Sequence, residues 1–241
     1  MISVCMATYN GEKYIKEQLV SILNQMKEND EVIVSDDGST DNTLEIIKSL
    51  NDERIKIFEH SKSKGKFTID YTTSNFENAI RHSKGDLIFL SDQDDVWKSN
   101  KVEVMKKLLE EYDVVMSDSE VVDSEMNVLE KSFFSKYRKF KTSILYNIYK
   151  PAFYGCCMAF RSEVMEKVLP FPKYGVGHDL WIGLVSLKHY KFKFINQTLM
   201  YYRRHDRNIT NSGIGERHTS LWFKIRYRWF ILLSLIRLVR L

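Results

Sequence analysis

The chain has 241 residues, a net charge of +4, 44% hydrophobic and 28% charged residues. That is ample for one continuous core and too apolar for wholesale disorder, and three prolines with ten glycines leave little for long flexible linkers. The basic excess lies wholly in the tail: residues 216–241 hold six Lys/Arg against one acid, while the remainder carries 30 bases and 31 acids, which argues against a nucleic-acid-binding face on the main body.

Residues 2–6 read as a buried strand. Tyr14, Ile15, Gln18, Leu19, Ile22, Leu23 and Met26 then fall on one helical face. EVIVS at 31–35 is a second strand, followed by Asp36-Asp37-Gly38-Ser39 and a helix with Leu44, Ile47 and Leu50 inward, capped by Ser39, Thr40 or Asp41. RIKIF at 54–58 is a third strand, residues 76–82 a short helix, and DLIFL at 86–90 a fourth strand that runs into Ser91-Asp92-Gln93-Asp94-Asp95. Ser99 is expected to cap the next helix, and DVVMS from Asp113 is a fifth strand. Beyond it the pattern loosens: 132–149 is mixed aromatic and basic, 151–160 contains Gly155, and 192–202 again reads as a strand.

Strand–helix alternation with short connections predicts a Rossmann-like, doubly wound α/β sheet, mostly parallel, with the second half covering one side as an acceptor pocket. Ligands of such sheets bind beyond the carboxyl ends of the strands, where both acidic runs lie. Cys5, Cys156 and Cys157 form no CxxC and make an odd count, so neither a zinc site nor a disulfide framework is expected, and buried reduced thiols suit a cytoplasmic protein. The opening MISVCMATYN lacks a basic n-region and a cleavage site, and no signal peptide is expected.

Carboxylates at i and i+2 on a strand end, Asp92 and Asp94, can turn toward one hard cation such as Mg²⁺ or Mn²⁺, or can be a polar turn capping a helix. DDGS at 36–39 is either a turn with its cap or a carboxylate aimed at a base or ribose. Thr8-Tyr9-Asn10-Gly11-Glu12 has neither GxGxxG nor a P-loop, and an exposed tyrosine there would stack on a nucleobase.

Taken in order, SVCMATYNGEKYIKEQLVSILNQ, VIVSDDGSTDNT, GDLIFLSDQDDVW, GHDLWIGL and YYRRHDRNIT resemble the inverting family 2 glycosyltransferases of GT-A fold over residues 2–211. FLSDQDDVW with YYRRHDRNIT looks like the bacterial rhamnosyltransferase-like branch, which builds cell-surface polysaccharides. The resemblance implies that Ala7 (through its backbone), Tyr9 and Asp37 hold the base. Thr8, Asn10, Glu12, Asp36 and Gln93 would lie around the nucleotide sugar, with Glu12 and Asp36 near the ribose or structural. It implies Asp94 as principal metal ligand, Asp92 on ribose or metal, His205 as a further metal candidate, and Arg203 and Arg204 as charge for the diphosphate. Asp179 matches the catalytic base, with Gly155, His178 and Trp181 on the acceptor side. His178 replaces the glutamate more often seen before that aspartate, and the QxxRW of processive members is absent, which favours single-sugar transfer.

The implied reaction is inverting transfer of one hexose or deoxyhexose, rhamnose favoured, from a dTDP- or UDP-linked donor to a glycan, possibly lipid-linked, with Mn²⁺ or Mg²⁺. A sugar-phosphate nucleotidyltransferase or a catalytically silent nucleotide-sugar or glycan-binding module are the alternatives. The expected division is a nucleotide-sugar half over 1–118, an acceptor half over 119–215, and a basic apolar helical tail over 216–241. LWFKIRYRWFILLSLIRLVRL at 221–241 is long enough to span a bilayer, but its five cations make that costly. It is expected either to lie on the inner face of the cell membrane or to pack on protein, including in a homo-oligomer.

Overall fold

A computed structural model describes residues 1–60, 67–173, 175–205 and 221–240. The elements in chain order are β1 (Ile2–Thr8), α1 (Ile15–Leu23), β2 (Glu31–Asp36), α2 (Thr43–Ser49), β3 (Ile55–Glu59), α3 (Thr68–His82) and β4 (Leu87–Ser91). There follow β5 (Val96–Trp97), α4 (Lys101–Leu108), β6 (Val114–Val122), β7 (Val128–Glu130), α5 (Phe133–Lys136) and α6 (Ile144–Tyr149). The last are β8 (Met158–Arg161), α7 (Met165–Val168), α8 (His178–His189), β9 (Phe192–Arg203) and α9 (Leu221–Arg240).

The strands form one mixed sheet in the order β3-β2-β1-β4-β8-β6-β9-β5, with β7 paired to β6. From β3 to β4 every pairing is parallel, as the strand–helix alternation predicts. β6 does not continue that run. Antiparallel β8 lies between β4 and β6, and β6 then pairs in parallel with β9. β1 and β2 are buried almost throughout, as strands covered on both faces must be. Helix α1 turns Ile15, Gln18, Leu19, Ile22 and Leu23 inward, the face its spacing predicts.

Two boundaries differ from expectation. Helix α3 begins at Thr68 rather than near Phe76. Its first half is rich in threonine, serine and asparagine, poor helix formers that a propensity argument discards. Those side chains are held by distant backbone: Asn75 donates to the Thr8 carbonyl at 3.2 Å, Thr73 to the Val176 carbonyl at 3.3 Å, and Asp70 accepts from the Gly175 and Phe67 amides. Helix α4 starts after Asn100 with no side-chain cap, so Ser99 does not cap it. Lys101, a surface residue by composition, is fully buried at its first turn.

In the second half aromatic rings interlock. Phe133 and Phe134 stack edge-on against Tyr154, and Phe140 and Phe153 pack on Phe192. Helix α8 crosses this layer at Gly183, where a Cβ would stand 2.3 Å from the Phe153 ring. Phe153 is itself buried and has nowhere to move. Gly183→Ala should therefore destabilise the fold by about 1–3 kcal/mol, overpacking outweighing the gain in helix propensity. Urea unfolding with an unchanged slope and a lower midpoint is the expected result.

Candidate active site

The strand order reverses direction at β1, because the chain lays β2 and β3 on one side of it and returns to β4 on the other. A crevice opens at such a switch point, outside the carboxyl ends of the strands. The register sets Met6 opposite Ser91 and Thr8 opposite Asp36, so the loops after β1, β2 and β4 meet there.

Most of the polar side chains in these loops brace one another. Gln93 accepts from the Tyr9 amide at 2.9 Å and donates to the Tyr9 carbonyl at 3.1 Å. Asp36 is buried and accepts from Thr8, Ser39 and the Gly38 and Ser39 amides. Asn10, at φ 49°, accepts from the Thr40 amide, and Glu12 accepts from the Asn42 amide and side chain. These five residues, expected around the nucleotide sugar, thus build the wall of the crevice. Of the base-binding residues expected here, the Tyr9 ring is 42% exposed, Ala7 is partly open and Asp37 is buried. Asp37 is held by His60 at 3.0 Å. His60 carries no sequence signal beyond ending β3.

On the other side of β1 the acidic run crowds Asp92, Asp94 and Asp95. Burial, then the charges of Asp94 and Asp179, push Asp92 up to about 7, and burial with Asp94 and Asp92 pushes Asp95 well above the carboxylate range. Asp95 is fully buried. One oxygen accepts from the Arg203 amide at 3.0 Å and the other has no hydrogen-bond partner. Carboxylates in such mutual repulsion, with an orphaned oxygen, suit a divalent cation.

Ligand atoms of Asp92, Asp95 and Cys156 lie within 4.8 Å of one another. The Cys156 thiol is pushed up by its contact with Cys157 and by burial, so it stays protonated and is a poor donor to a hard cation. Asp94 stands beside this group and pairs with His205 Nε2 at 2.8 Å. Carboxylate oxygens with this imidazole fit Mg²⁺ or Mn²⁺.

Lys101, which no motif flagged, lies under the cluster. Its Nζ donates to the Cys156 carbonyl at 2.6 Å, sits 4.4 Å from the Trp97 ring, and is lowered in pKa by burial. It holds the 155–157 turn beneath the acids and supplies a buried counter-charge.

Arg203 and Trp181 are both turned into the protein. Arg203 is 3% exposed. It donates to the carbonyls of Asp94 and Ser124, pairs with Glu17, and covers the Tyr14 ring, so its charge is turned into the protein and cannot reach a diphosphate. Arg204 is half-buried, with its guanidinium 5.8 Å from the Tyr202 ring. Trp181 is fully buried and donates to the Val168 carbonyl at 2.9 Å. It belongs to the core and touches no acceptor. The remainder of YYRRHDRNIT, from residue 206, lies outside the described residues.

Asp179 opens α8 on the far wall. Its Oδ1 accepts from the Leu180 amide at 2.7 Å, and burial pushes the group up to about 6. His178 beside it is buried against Phe76 at 4.0 Å, lowered to about 3 by burial, and neither ring nitrogen has a partner. A Cβ on Gly155 would fall 2.5 Å from His178 Nε2, so the absence of a side chain there admits this ring. The two acceptor-side residues Gly155 and His178 are thus one contact.

The chain is 27% identical over 241 residues to the dTDP-rhamnosyl transferase RfbG of Shigella flexneri, covering 92% of this chain and 77% of RfbG. Its fold matches S. aureus TarS in complex with UDP-GlcNAc, with TM-score 0.66, 21% identity, and 86% of this chain and 59% of that one covered. It also matches the mannosyltransferase PcManGT of Pyrobaculum calidifontis in complex with GDP-Man and Mn²⁺, with TM-score 0.63, 19% identity and coverage of 98% and 64%. The chain spans about two thirds of the length of the curated relatives it matches. These folds are GT-A, and residues 3–169 match the model of Glycosyl transferase family 2. The chain belongs to glycosyl transferase family 2.

Proposed function

We propose that the protein transfers a single hexose or deoxyhexose, rhamnose favoured, from a nucleoside-diphosphate sugar to a hydroxyl of a glycan carried on a lipid. Transfer inverts the anomeric centre and serves bacterial surface polysaccharide synthesis at the inner face of the membrane, which the tail contacts. The observation that carries the reading is the meeting of Asp179, from the second half of the chain, with Asp92, from the first. They are near enough that the charge of Asp179 raises Asp92. RfbG in its name, and TarS and PcManGT in their complexes, support the donor class.

The residues divide the work by position. Tyr9 stacks on the base and Asp37, steadied by His60, hydrogen-bonds its edge. Asp92, Asp94 and His205 hold the divalent ion, which when bound neutralises charge on the leaving diphosphate. Asp95 and Lys101 fix that cluster from below, and Arg204 adds positive charge. Asp179 takes the proton of the acceptor hydroxyl as its oxygen attacks the anomeric carbon opposite the departing diphosphate. Backside displacement forms the new C–O bond as the C–O bond to phosphate breaks, so one step inverts the centre and needs no enzyme nucleophile.

Incubation with a panel of nucleotide sugars, Mn²⁺ and lipid-linked glycan should release nucleoside diphosphate from at least one donor, and silence across the panel would overturn the reading. Asp94→Asn should reduce metal-dependent turnover by roughly a hundredfold or more. Asp179→Asn should leave donor binding intact in calorimetry and stop transfer.

The pH profile follows from burial. Asp179 serves as base only when ionised, so kcat/KM should rise with pH through about 6, above the ordinary carboxylate range. The sign for stability is opposite. The folded state holds this proton more tightly than the unfolded chain, so the contribution of Asp179 to stability declines as pH rises through about 6. Asp179→Asn is therefore expected to raise the melting temperature at neutral pH while removing activity.

A further inference from the structure

Helix α9 has two faces. Tyr227, Phe230, Ile231 and Leu235 lie toward the body: Ile231 is 1% exposed, Tyr227 and Leu235 pack on the core, and the Phe230 ring meets Phe67 with centroids 5.6 Å apart and lies against Gly175. Trp222, Ile225, Trp229, Leu232, Leu233 and Ile236 are all exposed, from 44% to 78%. At the helical period these six positions fall within an arc of about 100° on the side opposite the packed residues. The sequence alone shows no clean amphipathic helix, because the apolar residues run all round it. Docking hides half of them and leaves the rest as a stripe.

The stripe continues onto a second element. Arg228, exposed on α9, lies 5.3 Å from the ring of Tyr149 on α6. Tyr149 and Leu145, one turn apart, are 61% and 79% exposed. Both elements lie in stretches without acidic residues: 221–240 contains five Lys/Arg, and 131–150 contains six, of which five are exposed, Lys139, Lys141 and Lys150 among them. No described helix is long and apolar enough to cross a membrane.

We propose that the outer stripe of α9, with Leu145 and Tyr149 of α6, is a surface that lies flat on a bilayer containing anionic lipid. Aromatic and aliphatic side chains enter the headgroup boundary while the flanking cations meet lipid phosphates. A second copy of this chain is a poor occupant, since a symmetric contact through this surface brings the exposed Arg228, Lys139, Lys141 and Lys150 of one copy toward those of the other. The inner face of α9 rests on the segment that leads to Asp179, and Tyr227 is near enough to feel the charge of that carboxylate. Helix α9 thus lies between the docked plane and Asp179. On the proposed transferase function, this placement makes the acceptor a glycan anchored in the same bilayer.

The full chain should float with vesicles of phosphatidylcholine and phosphatidylglycerol and not with phosphatidylcholine alone, in the absence of any sugar. Trp97 and Trp181 are buried, so a blue shift of tryptophan emission on binding reports Trp222 and Trp229. The double variant W229S/L232S, with an unchanged circular dichroism spectrum, should bind roughly tenfold or more weakly. The pair Lys139→Glu with Lys150→Glu should lose the preference for anionic vesicles. Failure of the unaltered chain to bind anionic vesicles, equal binding by W229S/L232S, or a dimer in light scattering that W229S/L232S dissociates would overturn the surface. Because no donor is present, failure here removes the membrane contact of the tail and leaves the sugar-transfer reading intact. A silent donor panel with normal vesicle binding overturns that reading and leaves the surface.

Discussion

The parallel pairing of β1 with β4 sets Met6 opposite Ser91, and the site depends on that register. It places the amide of Gln93 where it can clamp both polar groups of the Tyr9 backbone. It also carries Asp92, Asp94 and Asp95 to the point where strand order reverses. A slip of one residue would turn every side chain of β4 to the other face, burying Ser91 wrongly and breaking the clamp. Register is secured because β1 and β4 are buried in the core, where a misplaced polar side chain costs several kcal/mol.

Held this way, the site concentrates negative charge in a region with little water. Asp92, Asp95 and Asp179 are all raised by burial first, while Lys101 and the Arg203 amide oppose the rise from inside the core. Such crowding destabilises the carboxylates on their own, and any ligand that neutralises them would be thermodynamically linked to the fold. Asp179, near enough for its charge to raise Asp92, is itself raised to about 6, chiefly by burial.

The sequence discloses what is local. Strand–helix alternation gives the four parallel strands at one end of the sheet, and the acidic runs after β2 and β4 mark the crevice edge. What escapes is what depends on distant partners. The insertion of β8 between β4 and β6 follows no periodic signal. The polar first half of α3 is helical only because Asp70, Thr73 and Asn75 reach the 175–178 segment and β1. Lys101 reads as a surface lysine and Arg203 as a cation for the diphosphate, since pattern cannot show which way a side chain is turned. The tail is the sharpest case: its apolar residues run all round the helix, and only docking shows which described ones are covered and which stay exposed.

Arg203 has a consequence for biosynthesis. Through its amide and guanidinium it ties the end of β9 to Asp95, to the carbonyl of Asp94 and to Glu17, 186 positions earlier. The acidic turn is therefore completed only when nearly the whole GT-A portion has been made. A chain ended before this arginine lacks the bonds that fix the turn after β4, so the shape of the acidic run depends on a residue laid down almost last in the sheet.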